Sequence, residues 1–269
     1  MAAENGMAGG GTVGKALDVL DHIAMFARPV RFNELLTGSP YPKATLYRLV
    51  QVLVGEGMVT FNADQGTYSL GMRLVRLAHA AWDQSSLAPI ARPHIDALSA
   101  QVGETVHLAQ IDNAQVLYVD KRNARVPVEM YSQAGKVGPA YCTGVGKVML
   151  AYLGPSELDR VLQQQAFHRF TPHTLTNEDQ LRRELSDIRA NGYGFDREEH
   201  EPGIICVAVP ILSAQGRLLG ALSVTSTTSR TNLAALEAQL PQIQTTVSAI
   251  AEEVQAWRFP DQAPASMED

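Results

Sequence analysis

Four groups of residues in this chain have types and spacings that could do chemistry. The first is Thr143-Gly144-Val145-Gly146-Lys147, which matches the end of a phosphate-cradling loop. The full loop needs glycine at position 141 and Ser or Thr at 148, and the chain has Tyr141 and Val148, so nucleotide binding is not expected. What remains is a glycine-rich turn opening a helix, where free N–H groups and the helix dipole at Gly144 and Val145 favour an anion such as a carboxylate. Close packing alone would also call for these glycines. The second group, Asp196-Arg197-Glu198-Glu199-His200-Glu201, is rich in metal-binding types. Neighbours in a strand or loop point apart, so few could share an ion, and a solvated acidic turn is expected. Asp196 is the exception, because it follows the apolar Tyr193 and Phe195.

The third group is Ser223 and Thr225, which alternate with Leu222 and Val224 and so place two hydroxyls on one strand face. Ile204 and Cys206, also two apart in an apolar run, would add an oily wall, giving a small pocket with a few polar anchors. The fourth is Cys206 itself. With His200 as a base it would be a nucleophile for hydrolysis, but inside the run Ile204 to Val209 a buried, inert thiol is expected.

The elements that must position these groups read as mixed α/β from Leu87 onward. A helix over Leu87 to Val102 precedes strands at Glu104 to Ile111, Gln115 to Lys121 and Val126 to Tyr131. The stretch Gly135-Lys136-Val137-Gly138-Pro139 then leads to helices at Val145 to Leu153, Pro155 to Gln165 and Asn177 to Asn191. Strands at Ile204 to Leu212 and Arg217 to Thr225 and a last helix, Leu233 to Trp257, complete the pattern. Hairpin strands with helices between them predict an antiparallel sheet covered by helices, an α+β arrangement.

The first part of the chain reads differently. Val13 to Phe26 is a helix with Leu17, Leu20, Ile23 and Ala24 in helical period, and a short second helix, Phe32 to Leu36, has Asn33 as its N-cap. A third begins with Pro42 at its first position and buries Leu46, Leu49, Val50 and Leu53. Its other side carries Lys43, Ala44, Tyr47, Arg48 and Gln51. Met58 to Phe61 and Thr67 to Leu70, joined through Asn62 to Gly66, form a hairpin. Helices followed by a hairpin are a winged helix-turn-helix whose third helix fits a major groove, where Arg and Lys reach guanine and Gln reads adenine. An amphipathic helix with a merely wet outer face is the plain alternative. Asp64 at the wing tip would sit badly against phosphate.

The chain has 269 residues, 45% of them hydrophobic, enough for two cores. The formal net charge is −6, divided unevenly: residues 1 to 82 carry seven Lys or Arg against six Asp or Glu, leaving 15 against 22 for the rest. A near-neutral reader relies less on counterion release and more on base contacts and pairing. There is no run of 18 apolar residues and no leader-like start, so a cytoplasmic protein without a membrane partner is expected. Cys142 and Cys206, far apart, read as reduced thiols. Between the two parts, Met72 to Trp82 carries Leu74, Val75, Leu77, Ala78, Ala81 and Trp82 as an apolar stripe. Packing on its own chain would explain the stripe, but a seam between two subunits is favoured, because paired readers need a rigid spacer.

The chain resembles the IclR family of bacterial transcriptional regulators over nearly its whole length. The resemblance rests on Val13 to Leu20 and on PKATLYRLVQVLVGEGMV, TYSLGMRLVRLA, GETVHLAQ, YCTGVGKVMLAY, NGYGFDREEHEPGIICVAVPI and GALSVTS. It implies a winged helix at residues 12–71, a linker helix at 72–86 and a GAF-like effector domain at 87–259; the glycine-rich opening, 1–11, and the end, 260–269, read from their composition as disordered tails. It implies a homodimer or tetramer on a palindromic operator in double-stranded DNA. Tyr41, Lys43, Ala44, Thr45, Tyr47, Arg48 and Gln51 would lie at the DNA, and a small organic acid would lie among Gly144, Val145, Asp196, Ile204, Cys206, Ser223 and Thr225. The stretch MYSQAGKVGPAYCTGVGKVMLAY is similar to the branch that represses pectin and uronate catabolism in response to 2-keto-3-deoxygluconate, although Thr225 and Val145 stand where Ser and Ala are frequent. The expectation is a repressor without catalytic residues, metal or cofactor. An activator for aromatic or other organic-acid catabolism would use the same parts.

Overall fold

A computed structural model of the chain describes the backbone of residues 11–85 and 87–256, and side chains in that span except at 82–86, 255 and 256. Of the expected tails only Gly11 is among the described residues. The chain divides into two compact units, Met1–Asp83 and Gln84–Asp269.

The first unit contains α1 (Thr12–Met25), β1 (Val30–Arg31), α2 (Phe32–Thr37), α3 (Lys43–Gly55), β2 (Val59–Asn62), β3 (Thr67–Leu70) and α4, which runs from Met72 to Ser85. Val19, Leu20, Ile23, Leu35, Leu46, Leu49, Val50 and Leu53 form one core with Val30, Val59 and Tyr68 from the strands. Three local expectations are corrected. Asn33 does not cap α2; the Arg31 N–H donates to the Glu34 carboxylate at 2.9 Å, so a glutamate one turn in does the capping. Pro42 is the N-cap of α3, its carbonyl accepting from Leu46 N–H at 2.9 Å, rather than the first helical residue. The hairpin also gains β1, which pairs with β3 through Val30↔Tyr68. Two residues are too few to show a period. Past α3, Gly57 takes φ +70°, a left-handed turn that releases the chain into the hairpin.

The second unit contains α5 (Ala88–Val102), β4 (Thr105–Asp112), β5 (Gln115–Arg122), β6 (Val137–Pro139), α6 (Gly144–Ala151), α7 (Pro155–Leu162), α8 (Glu178–Asn191), β7 (Gly194–Arg197), β8 (Ile204–Leu212), β9 (Leu218–Thr227), α9 (Leu233–Glu237) and α10 (Leu240–Ala256). Its six strands pair antiparallel in the order β6-β5-β4-β9-β8-β7. Alternation sorts their side chains. Ala109, Tyr118, Ala208 and Ala221 face α6 and α8, while the other face meets α5 and α10. Small residues under α6 let that helix sit close to the sheet.

Residues 126–131 are not a strand. The place beside β5 is taken by β6 (Leu117↔Val137), and the backbone of 126–131 bonds side chains instead: Arg230 to the Val126 carbonyl at 2.8 Å and the Tyr131 N–H to Glu201 at 3.0 Å. β7 was hidden in the stretch read as an acidic turn. The expected last helix is two, because Pro241 has no N–H to donate to the Glu237 carbonyl and is tolerated only in a first turn.

Candidate nucleic-acid interface and ligand cavity

On α3 the side chains of Lys43, Ala44, Tyr47, Arg48 and Gln51 are exposed, opposite the buried leucines, and Thr45 is half-buried. Among the described residues neither Lys43 nor Arg48 has an ion-pair partner, whereas Arg28 pairs with Glu34 and Arg73 with Glu56, both at 2.6 Å. The face therefore offers two unneutralised donors. Two tyrosines beside this face are more constrained. The Tyr41 hydroxyl is bonded to Asp18 of α1, so Tyr41 ties the start of the turn to α1. Tyr47 stands edge-on to Phe32 with ring centres 5.7 Å apart, which steadies it beside Arg48.

Along α4, Leu74 packs on the first unit's own core. Val75 and Leu77 are about half exposed, at 46% and 50%, and Ala78 and Ala81 are open as well. The Trp82 side chain lies outside the described residues.

In the second unit one cavity, about 30 Å³, is lined by Gly144, Val145, Asp196, Ile204, Cys206, Ser223 and Thr225 together with His107, Tyr118, Ser132, Thr143, His200 and Glu201. The sheet assembles much of this wall by register: Asp196 pairs with Cys206, Cys206 with Thr225, and Ser223 with both Ala208 and His107. Cross-strand partners share a face, so residues from four strands converge under the start of α6. There the approach is tight. A methyl group on residue 144 would overlap Cys206 Sγ and lie 3.4 Å from Asp196 N, so glycine is required for α6 to seat.

Burial governs the cavity's charges. Burial first, and then the neighbouring charge of Glu199, pushes the Asp196 carboxyl up to about 7, although the Glu199 N–H donates to it at 2.8 Å. His107 is pushed down to about 3 by burial, with the Lys121 charge adding to it, and so is neutral. Cys206 is raised to about 12 by burial and then by Asp196, which leaves it a thiol without nucleophilic character. Both cysteines are free, and among the described residues no group of three or more side chains could hold a metal ion.

The stretch after Asp196 is not the solvated acidic turn expected. Glu199 is 3% exposed and paired with Lys147, which is wholly buried and also lies 3.0 Å from Glu184. The lysine read as the relic of a phosphate loop is thus the buried ion-pair partner of Glu199 and shares Glu184 with Arg197. His107, Tyr118 and Ser132 escaped the site reading of the sequence, and Thr143, His200 and Glu201 were singled out there only in other roles. His107 and Tyr118 alternate within strands that were recognised, but which face met the helices was not legible, and Ser132 immediately follows the segment 126–131, which is not the strand expected there.

Comparison with known proteins accords with both halves of this description. The model for the IclR helix-turn-helix domain matches residues 12–63, and that for the C-terminal domain of bacterial transcriptional regulator IclR matches residues 79–252. The HTH-type transcriptional regulator XynR of Escherichia coli strain K12 is 33% identical over 233 residues, covering 87% of this chain and 92% of that protein. KdgR of Dickeya chrysanthemi is 33% identical over 203 residues, 76% of this chain and 67% of that one. The crystal structure of Thermotoga maritima IclR superposes with a TM-score of 0.73 at 29% identity, covering 90% of this chain and 98% of that one. Among the described residues no helix is long and apolar enough to cross a membrane. The chain belongs to the IclR family of bacterial transcriptional regulators and is a DNA-binding regulator, not an enzyme.

Proposed function

We propose that this regulator is a repressor of a catabolic operon, released from its operator by a small organic acid, with a sugar acid of the 2-keto-3-deoxygluconate type favoured. The observation that carries the reading is the convergence of Gly144, Val145, Asp196, Ile204, Cys206, Ser223 and Thr225 on one cavity at the N-terminus of α6. A carboxylate there would meet free backbone N–H groups and the positive end of the helix dipole, with the hydroxyls of Ser223 and Thr225 as further donors. The favoured sugar acid rests on the likeness of residues 130–152 to the pectin and uronate branch. The cavity is small, about 30 Å³, and a six-carbon acid would displace part of its wall.

Two copies would place their α3 helices in successive major grooves, with Lys43, Ala44, Thr45, Tyr47 and Arg48 nearest bases and backbone and Tyr41 and Gln51 at the margin, on half-sites roughly 10 bp or a multiple apart. The exposed stripe on α4 would form the seam between copies, as a dimer or a pair of dimers. A coupling of about 1 to 3 kcal/mol between cavity and reader would loosen the grip roughly 5- to 150-fold, through a shift of the α4 helices that alters half-site spacing. Titrating the full chain on its own upstream DNA with and without 2-keto-3-deoxygluconate and related acids tests the reading. Weaker binding with at least one acid is expected, and identical affinities and footprints throughout would sink it.

A further inference from the structure

Carboxylate capture at α6 leaves His107 among the cavity's polar side chains without a task. His107 on β4 is 2% exposed and pairs across the sheet with Ser223. Its Nδ1 lies 3.2 Å from Thr225 Oγ1 and 3.5 Å from Ser223 Oγ, and its Nε2 lies 2.8 Å from Ser132 Oγ. A neutral imidazole donates from one nitrogen and accepts at the other. The hydroxyls at Nδ1 take either role, so Nε2 can present a donor or an acceptor to whatever stands before it.

Ser132 differs from the ring's other partners. Thr225 and Ser223 are fixed within the sheet, whereas Ser132 belongs to the segment between β5 and β6 that has no strand pairing. That segment is tied down by Lys121 Nζ donating to the Ser132 carbonyl at 2.8 Å and by the Tyr131 N–H donating to Glu201. Ser132 is therefore the one partner of the ring that a ligand can displace while leaving every strand ladder intact. Ser132 lines the cavity, about 30 Å³, and its Oγ holds the position before Nε2 that a larger ligand would need.

We propose that His107 is a specificity-determining residue of this cavity, selecting acids that carry a hydroxyl or carbonyl group, and that this group takes the position at Nε2 now held by Ser132 Oγ. The proposal rests on the organic-acid reading above and adds the residue that would select for the acid's oxygen function. A carboxylate at the α6 end and an oxygen function at the His107 end describe hydroxy and oxo monocarboxylic acids. A plain aliphatic acid would displace Ser132 and leave a buried ring nitrogen unpaired. Sites built to hydrogen-bond a hydroxyl discriminate strongly against analogues that lack it, for that reason. A second carboxylate would meet an uncharged ring in a cavity that already contains Asp196.

The test is calorimetric titration of the full chain with three pairs of acids matched in carbon number: 2-keto-3-deoxygluconate with hexanoate, D-glycerate with propionate, and glycolate with acetate. Wild type is expected to bind at least one oxygenated acid roughly tenfold or more tighter than its plain partner. His107→Phe should bring that ratio close to one without weakening the plain acid, and Ser132→Ala, which removes the internal competitor, should tighten the oxygenated acid alone by severalfold. A ratio unchanged in folded His107→Phe overturns the proposal. If that variant does not fold, Ser132→Ala decides, and no gain there overturns it equally. Wild type binding both kinds of acid without preference defeats this inference alone, whereas binding none of the six defeats the organic-acid reading with it.

Discussion

The Glu199 N–H donates to Oδ1 of Asp196 at 2.8 Å, while the carboxylate of the same Glu199 turns away to the buried ammonium of Lys147. Two acids three residues apart thus have opposite fates, one held beside a cation and the other left to the cavity. Asp196 is pushed up to about 7 by burial and then by Glu199, against an ordinary value of 3.8. Between about pH 4 and 7 the folded chain keeps a proton that the unfolded chain has lost, so this group's contribution to stability falls as pH rises through that window. Asp196→Asn should gain on wild type by on the order of 4 kcal/mol across it. Urea unfolding of both proteins at pH 4.5 and 7.5 checks this, and parallel pH profiles would refute it.

His107 gives the opposite slope. Burial holds it at about 3, so the folded ring stays neutral while the unfolded chain takes up a proton below its usual 6.5. Its contribution is fully present above pH 6.5 and is lost as pH falls toward 3. A folded variant lacking the imidazole, such as His107→Phe, should lose less stability than wild type between pH 6.5 and 4.5, measured by the same unfolding curves.

Lys147 is wholly enclosed between Glu184 and Glu199. Lys147→Met leaves the Glu199 carboxylate buried without its cation and should cost about 3 to 5 kcal/mol. Adding Glu199→Gln to that variant should recover much of the loss. Chemical denaturation of the single and double variants measures both effects, and additive losses would show that the pair does not act as a unit.

Gly144→Ala drives a methyl group into Cys206 Sγ and should cost about 1 to 3 kcal/mol by overpacking. Cys206→Ala in the same chain should relieve the clash, with thermal unfolding as the readout. Ser223→Ala, which changes the second unit and not α3, should keep the grip on upstream DNA while blunting its release by acid.

Much of this molecule is legible in the sequence because its periods are local. The stripe Leu46, Leu49, Val50 and Leu53 fixes which side of α3 is wet, and the two-residue spacing of Ser223 with Thr225 and of Ile204 with Cys206 fixes two adjoining strand faces. Illegible features depend on long-range register or on partners distant in the chain. Nothing near Lys147 announces that Glu199, 52 residues later, will bury with it, and the alternation in β4 does not say that His107 faces a cavity rather than solvent. Val126 to Tyr131 looks like a strand because β-formers alternate there, yet a strand needs an open edge, and β6 occupies it.

The account turns on α3, and fluorescence anisotropy of the full chain on its own upstream DNA, wild type against Arg48→Ala, tests it most directly. Wild type should bind in a sequence-selective manner, and Arg48→Ala should lose roughly 100-fold or more in affinity, since each of two half-sites forfeits about 1 to 3 kcal/mol. The same variant should bind acids as wild type does. An Arg48→Ala protein that grips the same DNA undiminished would contradict the account.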